Sequence, residues 1–553
     1  MPNVPAGATC EADAGTVADV DESPAARLRS GAMQFYRRWL LMIALILGTI
    51  LRTREWLYSK SLWLDELTLT TNLVSRDFAG LTRRLDGNQG APVLWLWAEK
   101  ISINVFGVSE LSLRLVPWLA SLIALAVFPF VARRLIGEAA APAAVVLFAT
   151  APSLIYYAAE TKQYSSDVAS MLLVVLATTL LSRREPTLPA ALYWGAACGA
   201  LVWFSQPAIV VSAACGLFLA WRSWRSGRIL ARLLGGGAIL GASVALQWWL
   251  VLGDLKQNST LRAYWQAAQG FPPSPPTVGG HIAWLRTFAT AFFDGVGHFA
   301  FPWLALELAV WGFLVMLRRR PWSAAMIGLV VAASVGAALA YQYPLAQRLA
   351  LFLLPMALLL VCAGLGDASF DAREEPLAAW RQVAVALCAL FLFVVAGPAI
   401  GSGLGKLIQP DETTATRQAI EFVAAHREPG DLVLVEAGAE SAADFYGPRL
   451  NVRADGVFRF ERPTATNPCT GDRLAPLAGA PRVWLVFGHH FTIEPANRTS
   501  VYLSQVAAAA TQVTSFTGAG DAGAFLFDLG QPPATPQEAL KPWIPRACLT
   551  ISR

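Results

Sequence analysis

The chain has 553 residues, of which 55% are apolar and only 15% charged, and its mean hydropathy is +0.47. This excludes a solvated globular enzyme, whose charged share lies nearer a quarter. With 43 Lys and Arg against 38 Asp and Glu, the net charge is +5, too weak a bias for a nucleic-acid partner, so most of the chain uses lipid as its solvent.

Residues 1–34 scatter Glu11, Asp13, Asp19, Asp21 and Glu22 among Ala, Gly, Ser and Pro without apolar periodicity, which predicts a disordered cytoplasmic tail. The next run, Trp39–Leu51, has no small-residue cleavage site behind it and reads as a first span rather than a signal peptide, with arginines snorkelling at both ends. Further apolar runs follow at about 110–132, 138–157, 167–182, 188–204, 207–221, 229–252, 301–317, 322–342, 349–365 and 379–400. A span needs about 20 residues, fewer with interfacial anchors, so about eleven transmembrane helices are expected within residues 35–400.

A cytoplasmic N-terminus puts Arg133–Arg134, Arg183–Arg184, Arg222/Arg225/Arg228, Arg318–Arg320 and Arg373/Arg381 on one side, as the positive-inside rule requires. That register holds only if residues 92–106, with Glu99 and Lys100 beside Trp95 and Trp97, form a helix lying along the interface. They then belong to a large outer loop, 57–109; a second covers 253–300.

Beyond Ile400 the composition turns soluble. Helices near Thr413–His426, Ser441–Tyr446 and 494–510 alternate with strands at Asp431–Val435, Val483–Phe487 and Ala524–Phe527, predicting an extracytoplasmic α/β domain over 409–553 with a parallel or mixed sheet. Cys469 and Cys548 would then sit in an oxidising compartment as a disulfide candidate; Cys198, Cys215, Cys362 and Cys388 lie in apolar runs as small hydrophobes. The expected fold is a polytopic α-helical membrane protein with this domain at its C-terminal end.

In such a protein the informative charges are those that loop ends do not explain. In SLWLDE, residues 61–66, Asp65 and Glu66 diverge by about 100° on a helix, so one can face a cavity while the other supports it. Asp65 suits a general base for a hydroxyl, or else caps a short helix. In DGNQGAP, residues 86–92, the turn leaves Asn88 and Gln89 able to bind sugar hydroxyls. In YYAAETKQY, residues 156–164, Glu160 and Lys162 stay near the bilayer surface, where ionisable groups need a function or each other. Arg348 is the lone cation of the short outer connection YQYPLAQR and either snorkels or grips a phosphate through its planar fork. Carboxylates to activate a hydroxyl and two cations to hold an anion fit substitution at the anomeric carbon of a lipid-phosphate sugar.

The order SLWLDE, APVLWLW, FGVSELSLRLVP, ARRL and APSLIYYAAETKQYS resembles the membrane half of the GT-C superfamily. It is most similar to the polyprenyl-phosphate-dependent glycosyltransferases that include protein O-mannosyltransferases and the enzymes adding aminoarabinose or galacturonic acid to lipid A. The resemblance covers about residues 35–370 and is most specific over 61–170. It implies a catalytic role for Asp65 with Glu66 beside it, donor-phosphate binding by Lys162, and substrate contacts by Glu160 and Tyr164; the residue reading adds Arg348 as a second phosphate ligand and Asn88 and Gln89 as substrate contacts. Where relatives carry Glu-x-Arg-x-Tyr this chain has Glu160-Thr-Lys162-Gln-Tyr164, and Gly90-Ala91-Pro92 replaces a His-Pro-Pro triplet. No cofactor is assigned with certainty and a divalent metal is left open; His281 and His298, which flank the second outer loop, either bind it or, as histidines this far apart more often do, make ordinary polar contacts.

The expected activity is an inverting transfer from a polyprenyl-phosphate-linked sugar to a lipid A, glycan or protein hydroxyl at the periplasmic face of a bacterial inner membrane. A transporter or flippase of lipid-linked sugars is the alternative; it would place its polar groups near the midplane on broken helices.

Overall fold

The computed structural model describes residues 24–253, 258–364, 378–461, 481–488, 510–530 and 548–552, together with Leu477, Leu503 and Val506. In chain order the helices are α1 Pro24–Tyr58, α2 Leu64–Ser75, α3 Val93–Phe106, α4 Glu110–Leu113, α5 Leu115–Ile136, α6 Ala141–Thr150, α7 Pro152–Tyr156, α8 Tyr164–Leu181, α9 Leu188–Leu201, α10 Pro207–Arg222 and α11 Gly227–Gln247. There follow α12 Ser259–Ala267, α13 Val278–Ala291, α14 Pro302–Arg319, α15 Pro321–Leu339, α16 Leu354–Ala363, α17 Ala378–Gly405, α18 Thr416–His426 and α19 Glu440–Tyr446.

Each of the eleven predicted apolar runs is mostly helical. Among the described residues, four single helices are long and apolar enough to cross a membrane, Leu115–Ile136, Tyr164–Leu181, Gly227–Leu252 and Pro321–Leu339; α6 with Pro152–Ala159, bent by 52°, makes a fifth. The chain is therefore a helical membrane protein. Proline in the first turn starts many of these helices (Pro142, Pro152, Pro189, Pro207, Pro302, Pro321, Pro355), where its missing N–H has no intrahelical partner to lose. Small residues let α9 and α11 approach: a Cβ on Gly195 would stand 2.1 Å from the Gly236 carbonyl oxygen, a packing mode suited to lipid, where tight contact rather than water exclusion joins helices.

Two expectations for the first span need correction. Helix α1 begins at Pro24, so residues 24–34 are helical rather than part of the tail; Pro24 sits where helices tolerate it, and Ala25, Ala26, Arg27 and Leu28 are good helix formers. Arg52 does not snorkel. It is buried and donates to the carbonyls of Gly48, Ala149 and Phe148 at 3.0, 2.9 and 3.0 Å. The break before Pro152 orphans the last carbonyls of α6, and the guanidinium satisfies them, fixing the bend that leads to residues 160–164.

The C-terminal module is a six-stranded mixed sheet ordered β4-β5-β3-β1-β2-β6, with β1 Leu432–Glu436, β2 Gly456–Glu461, β3 Arg482–Phe487, β4 Thr511–Thr517, β5 Gly523–Asp528 and β6 Cys548–Ser552. Strand β1 runs parallel to β2 and β3, and the remaining pairs are antiparallel. Strands β2, β4 and β6 were not foreseen from the sequence. The helix expected over 494–510 lies almost entirely outside the described residues, as does the proposed Cys469–Cys548 pairing. The apolar core under this sheet is continuous with the 57–109 loop: Leu62, Leu67, Leu69, Leu73, Trp95 and Leu96 share one cluster with Ile420, Val435, Ala442, Tyr446 and Trp484. The module thus sits directly on the segment that carries Asp65.

Candidate active site

Asp65 and Glu66 occupy the first turn of α2, behind Trp63 at the N-cap position. Asp65 is therefore not the cap, and both carboxylates benefit from the positive end of the helix. Their directions diverge as the helical spacing requires. Glu66 is buried and accepts from Arg114 Nε at 2.9 Å and Nη2 at 2.7 Å, from the Thr161 N–H at 2.7 Å and from the Trp63 N–H at 3.3 Å. Arg114 also donates to the carbonyls of Lys60 and Ser61 at 2.7 and 3.3 Å. Burial pushes the Glu66 carboxyl up, but Arg114, together with Lys60 and the Thr161 N–H, outweighs it and holds the group below the usual range. Although grouped with Asp65 as catalytic on sequence grounds, Glu66 has its lone pairs committed to the scaffold: it ties α2, the start of α5 and the 160–164 turn together.

Asp65 faces the other way. Its Oδ2 accepts from Arg348 Nη2 at 2.8 Å, its Oδ1 lies 3.2 Å from Lys162 Nζ, and Gln89 Nε2 donates to Oδ1 at 3.0 Å. The side chain retains 17% of its exposure, so the carboxylate stays reachable. Burial raises its pKa, but Lys162 and then Arg348 more than offset this, and the net shift is downward. For Lys162, burial outweighs Asp65 and the shift is also downward. Lys162 pairs with Asp65 and donates to Gln89 Oε1 at 2.5 Å; it does not pair with Glu160.

Glu160 is 1% exposed, and neither carboxylate oxygen has a hydrogen-bond partner among the described residues. Burial first, then the negative charge of Glu66, lifts its pKa to about 7. Tyr164 is buried beside it at the start of α8, and its ring lies 5.9 Å from the Arg348 guanidinium, which also stands over Trp63 at 5.2 Å and Trp265 at 5.8 Å. These aromatic faces hold the cation without neutralising it.

The 86–92 turn needs left-handed backbone at Gly87 and Asn88, with φ of 68° and 55°. It presents Gln89 to the ion cluster, whereas Asn88 accepts from Asn258 Nδ2 at 3.0 Å and anchors the loop that follows α11. Tyr341 Oη donates to the carbonyl of Pro272 in that loop at 2.9 Å, which brings the proline-rich segment against the 341–348 connection. Asp65, Gln89, Lys162 and Arg348 thus form one cluster with Glu160 and Tyr164 beside it, and Asn88 stands at its edge.

Sequence reasoning missed Arg114, which closes the Glu66 site, and Trp265, which walls Arg348. It also missed Lys60, fully buried with its Nζ 3.6 Å above the Tyr156 ring and 3.6 Å from Glu55. Glu99, expected on a polar helix face, is buried without a partner for either oxygen among the described residues, and burial raises its pKa well above the usual range. Among the described residues no three His, Cys, Asp or Glu side chains converge to hold a metal ion.

Comparison with curated proteins finds no match. Among solved structures the chain is similar to ArnT from Cupriavidus metallidurans in the apo state, at 14% identity over 91% of this chain and 100% of that one with a TM-score of 0.47. The undecaprenyl phosphate-bound form matches at 13% identity, 89% and 97% coverage and 0.46. The oligosaccharyltransferase AglB from Archaeoglobus fulgidus, in complex with an inhibitory peptide and a dolichol-phosphate, matches at 12% identity, 77% and 69% coverage and 0.43. Residues 90–250, which contain Glu160, Lys162 and Tyr164, match the family model of dolichyl-phosphate-mannose-protein mannosyltransferases, the same glycosyltransferase family to which the motifs of this segment bear their resemblance.

Proposed function

We propose that this protein transfers a sugar from a polyprenyl-phosphate carrier to an acceptor hydroxyl of a lipid, glycan or protein, with Asp65 as general base and inversion at the anomeric carbon. The observation that carries the reading is the bracketing of one reachable carboxylate by two cations, Lys162 and Arg348, at 3.2 and 2.8 Å. Asp65 takes the proton of the acceptor hydroxyl, the freed oxygen attacks the anomeric carbon, and the carbon–oxygen bond to the carrier phosphate breaks with its electron pair leaving on the phosphate. Lys162 and Arg348 stabilise the charge that develops there.

The unliganded geometry adds a condition. While both cations neutralise Asp65 its basicity is low; a carrier phosphate that draws them away lets the carboxylate recover proton affinity when the acceptor needs it. The match of residues 90–250 to a family named for a lipid-phosphate sugar donor supports this substrate class. The polar cluster gathers where helices α1, α7, α8 and α15 end or begin, which favours transfer at one membrane face over carriage through the midplane. We place that face outward at a bacterial inner membrane, with the N-terminus cytoplasmic and the C-terminal module periplasmic, on the arginine distribution.

Mass spectrometry of envelope glycolipids and glycoproteins from a deletion strain complemented with wild type or Asp65→Asn tests the proposal. Product should return with wild type and stay absent with the variant; full restoration by Asp65→Asn would remove the proposed base.

A further inference from the structure

We infer that the C-terminal module is a working part of the transfer site, with Tyr446 positioning the loop that carries Asp65; this rests on the transfer reading above. The loop 59–63 between α1 and α2 has no regular structure of its own, so its polar groups must find partners elsewhere. Arg114 takes its carbonyls at Lys60 and Ser61. The module supplies further partners. The Leu62 N–H donates to Tyr446 Oη at 2.9 Å, Ser61 Oγ donates to Gln418 Oε1 at 2.7 Å, and the Arg417 N–H donates to Ser61 Oγ at 3.2 Å. Arg417 Nη1 also reaches Glu110 Oε1 at 2.6 Å, bracing the far end of the same loop region.

The Leu62–Tyr446 contact is buried rather than incidental. Leu62 is 0% and Tyr446 3% exposed, and α19, which ends in Tyr446, packs on α2. Leu62 stands three residues before Asp65. A shift of its amide tilts the first turn of α2, and with it the carboxylate that must meet both an acceptor hydroxyl and the two cations; displacements of an ångström at such a group are costly to rate. The Tyr446 ring belongs to the apolar cluster, whereas its hydroxyl serves the loop, so the two roles separate chemically.

The experiment uses the full chain in lipid nanodiscs and in the complemented deletion strain, comparing wild type, Tyr446→Phe and Asp65→Asn. Tyr446→Phe keeps the ring and deletes the hydroxyl. It should speed amide hydrogen exchange of the 60–66 peptide about tenfold, the loss expected for one hydrogen bond. Exchange of strand β1 and the unfolding temperature should stay unchanged, while sugar product falls by a similar factor. Unaltered exchange at 60–66, or wild-type product, overturns the inference. If Tyr446→Phe lowers the unfolding temperature by more than a few degrees, Ser61→Ala, which cuts the second strut from the loop side, takes its place; unaltered exchange or wild-type product in that variant then overturns the inference in the same way. Product lost in Asp65→Asn but kept in Tyr446→Phe sinks only the positioning role; product kept in Asp65→Asn removes Asp65 as the base on which the transfer reading rests.

Discussion

Arg348 donates to Asp65 at 2.8 Å across 283 residues of sequence, and in the proposed transfer the carboxylate is a placeholder for the carrier phosphate. Removing that placeholder separates two roles of the site. Asp65→Asn should abolish transfer by at least about a hundredfold, the usual contribution of a general base, yet undecaprenyl phosphate should bind at least as tightly as to wild type, because it no longer competes with an internal carboxylate for Lys162 and Arg348. Equilibrium binding in nanodiscs measures this; weaker binding by the variant would place Asp65 on the phosphate-holding side instead.

The Arg348 guanidinium is held between Trp63, Tyr164 and Trp265, and its Nε has no partner among the described residues, so a donor remains for a phosphate oxygen. Charged hydrogen bonds contribute about 1.5–3 kcal/mol. Arg348→Gln should therefore weaken undecaprenyl phosphate binding by about 10- to 100-fold, and Arg348→Lys, which keeps charge but loses the fork and the stacking, should fall between it and wild type. Equal affinities for lysine and arginine would show that only net charge matters here.

Glu160 gives a pH signature. Its folded pKa of about 7 stands above the ordinary glutamate value of 4.5, through burial and then Glu66. The protonated form favours the folded state, so its stabilisation is complete below pH 4.5 and is lost as pH rises through 7, where a bare carboxylate must be held in a dry site. Glu160→Gln removes this dependence. The unfolding temperature of the variant relative to wild type should rise between about pH 5 and pH 8; a constant difference would mean that Glu160 is solvated or paired in the protein in solution.

Much of this site was legible in the sequence because membrane composition makes isolated charges conspicuous. Asp65, Lys162 and Arg348 could be picked out as polar residues without a loop-end explanation, and adjacency alone required Asp65 and Glu66 to point apart. Partnerships were not legible. Nothing local links Glu66 to Arg114, 48 residues on, and Arg114 was hidden at the head of an apolar run. Arg52 looked like a snorkelling anchor because the break in α6 that it satisfies lies 97 residues away. In the module, β1, β3 and β5 are short apolar runs with buried centres, whereas β4 is largely exposed and β6 pairs with β2 across about 90 residues, so periodicity within a single window carried little signal.

The Glu66–Arg114 pair predicts a stability effect that Asp65 does not share. Glu66→Gln leaves a buried guanidinium without its counter-charge, which costs about 3–5 kcal/mol when one partner of a buried pair is removed, so the unfolding temperature should drop by several degrees, whereas Asp65→Asn, at a partly open site, should change it far less. Replacing both partners by leucine often rescues a buried pair, but here it should not. The Thr161 and Trp63 N–H groups and the Lys60 and Ser61 carbonyls all depend on this pair, and an apolar substitute leaves four buried backbone groups to satisfy. A Glu66→Leu, Arg114→Leu protein as stable as wild type would mean that these groups find water or other partners, and that the 160–164 turn is held against α2 by something other than Glu66.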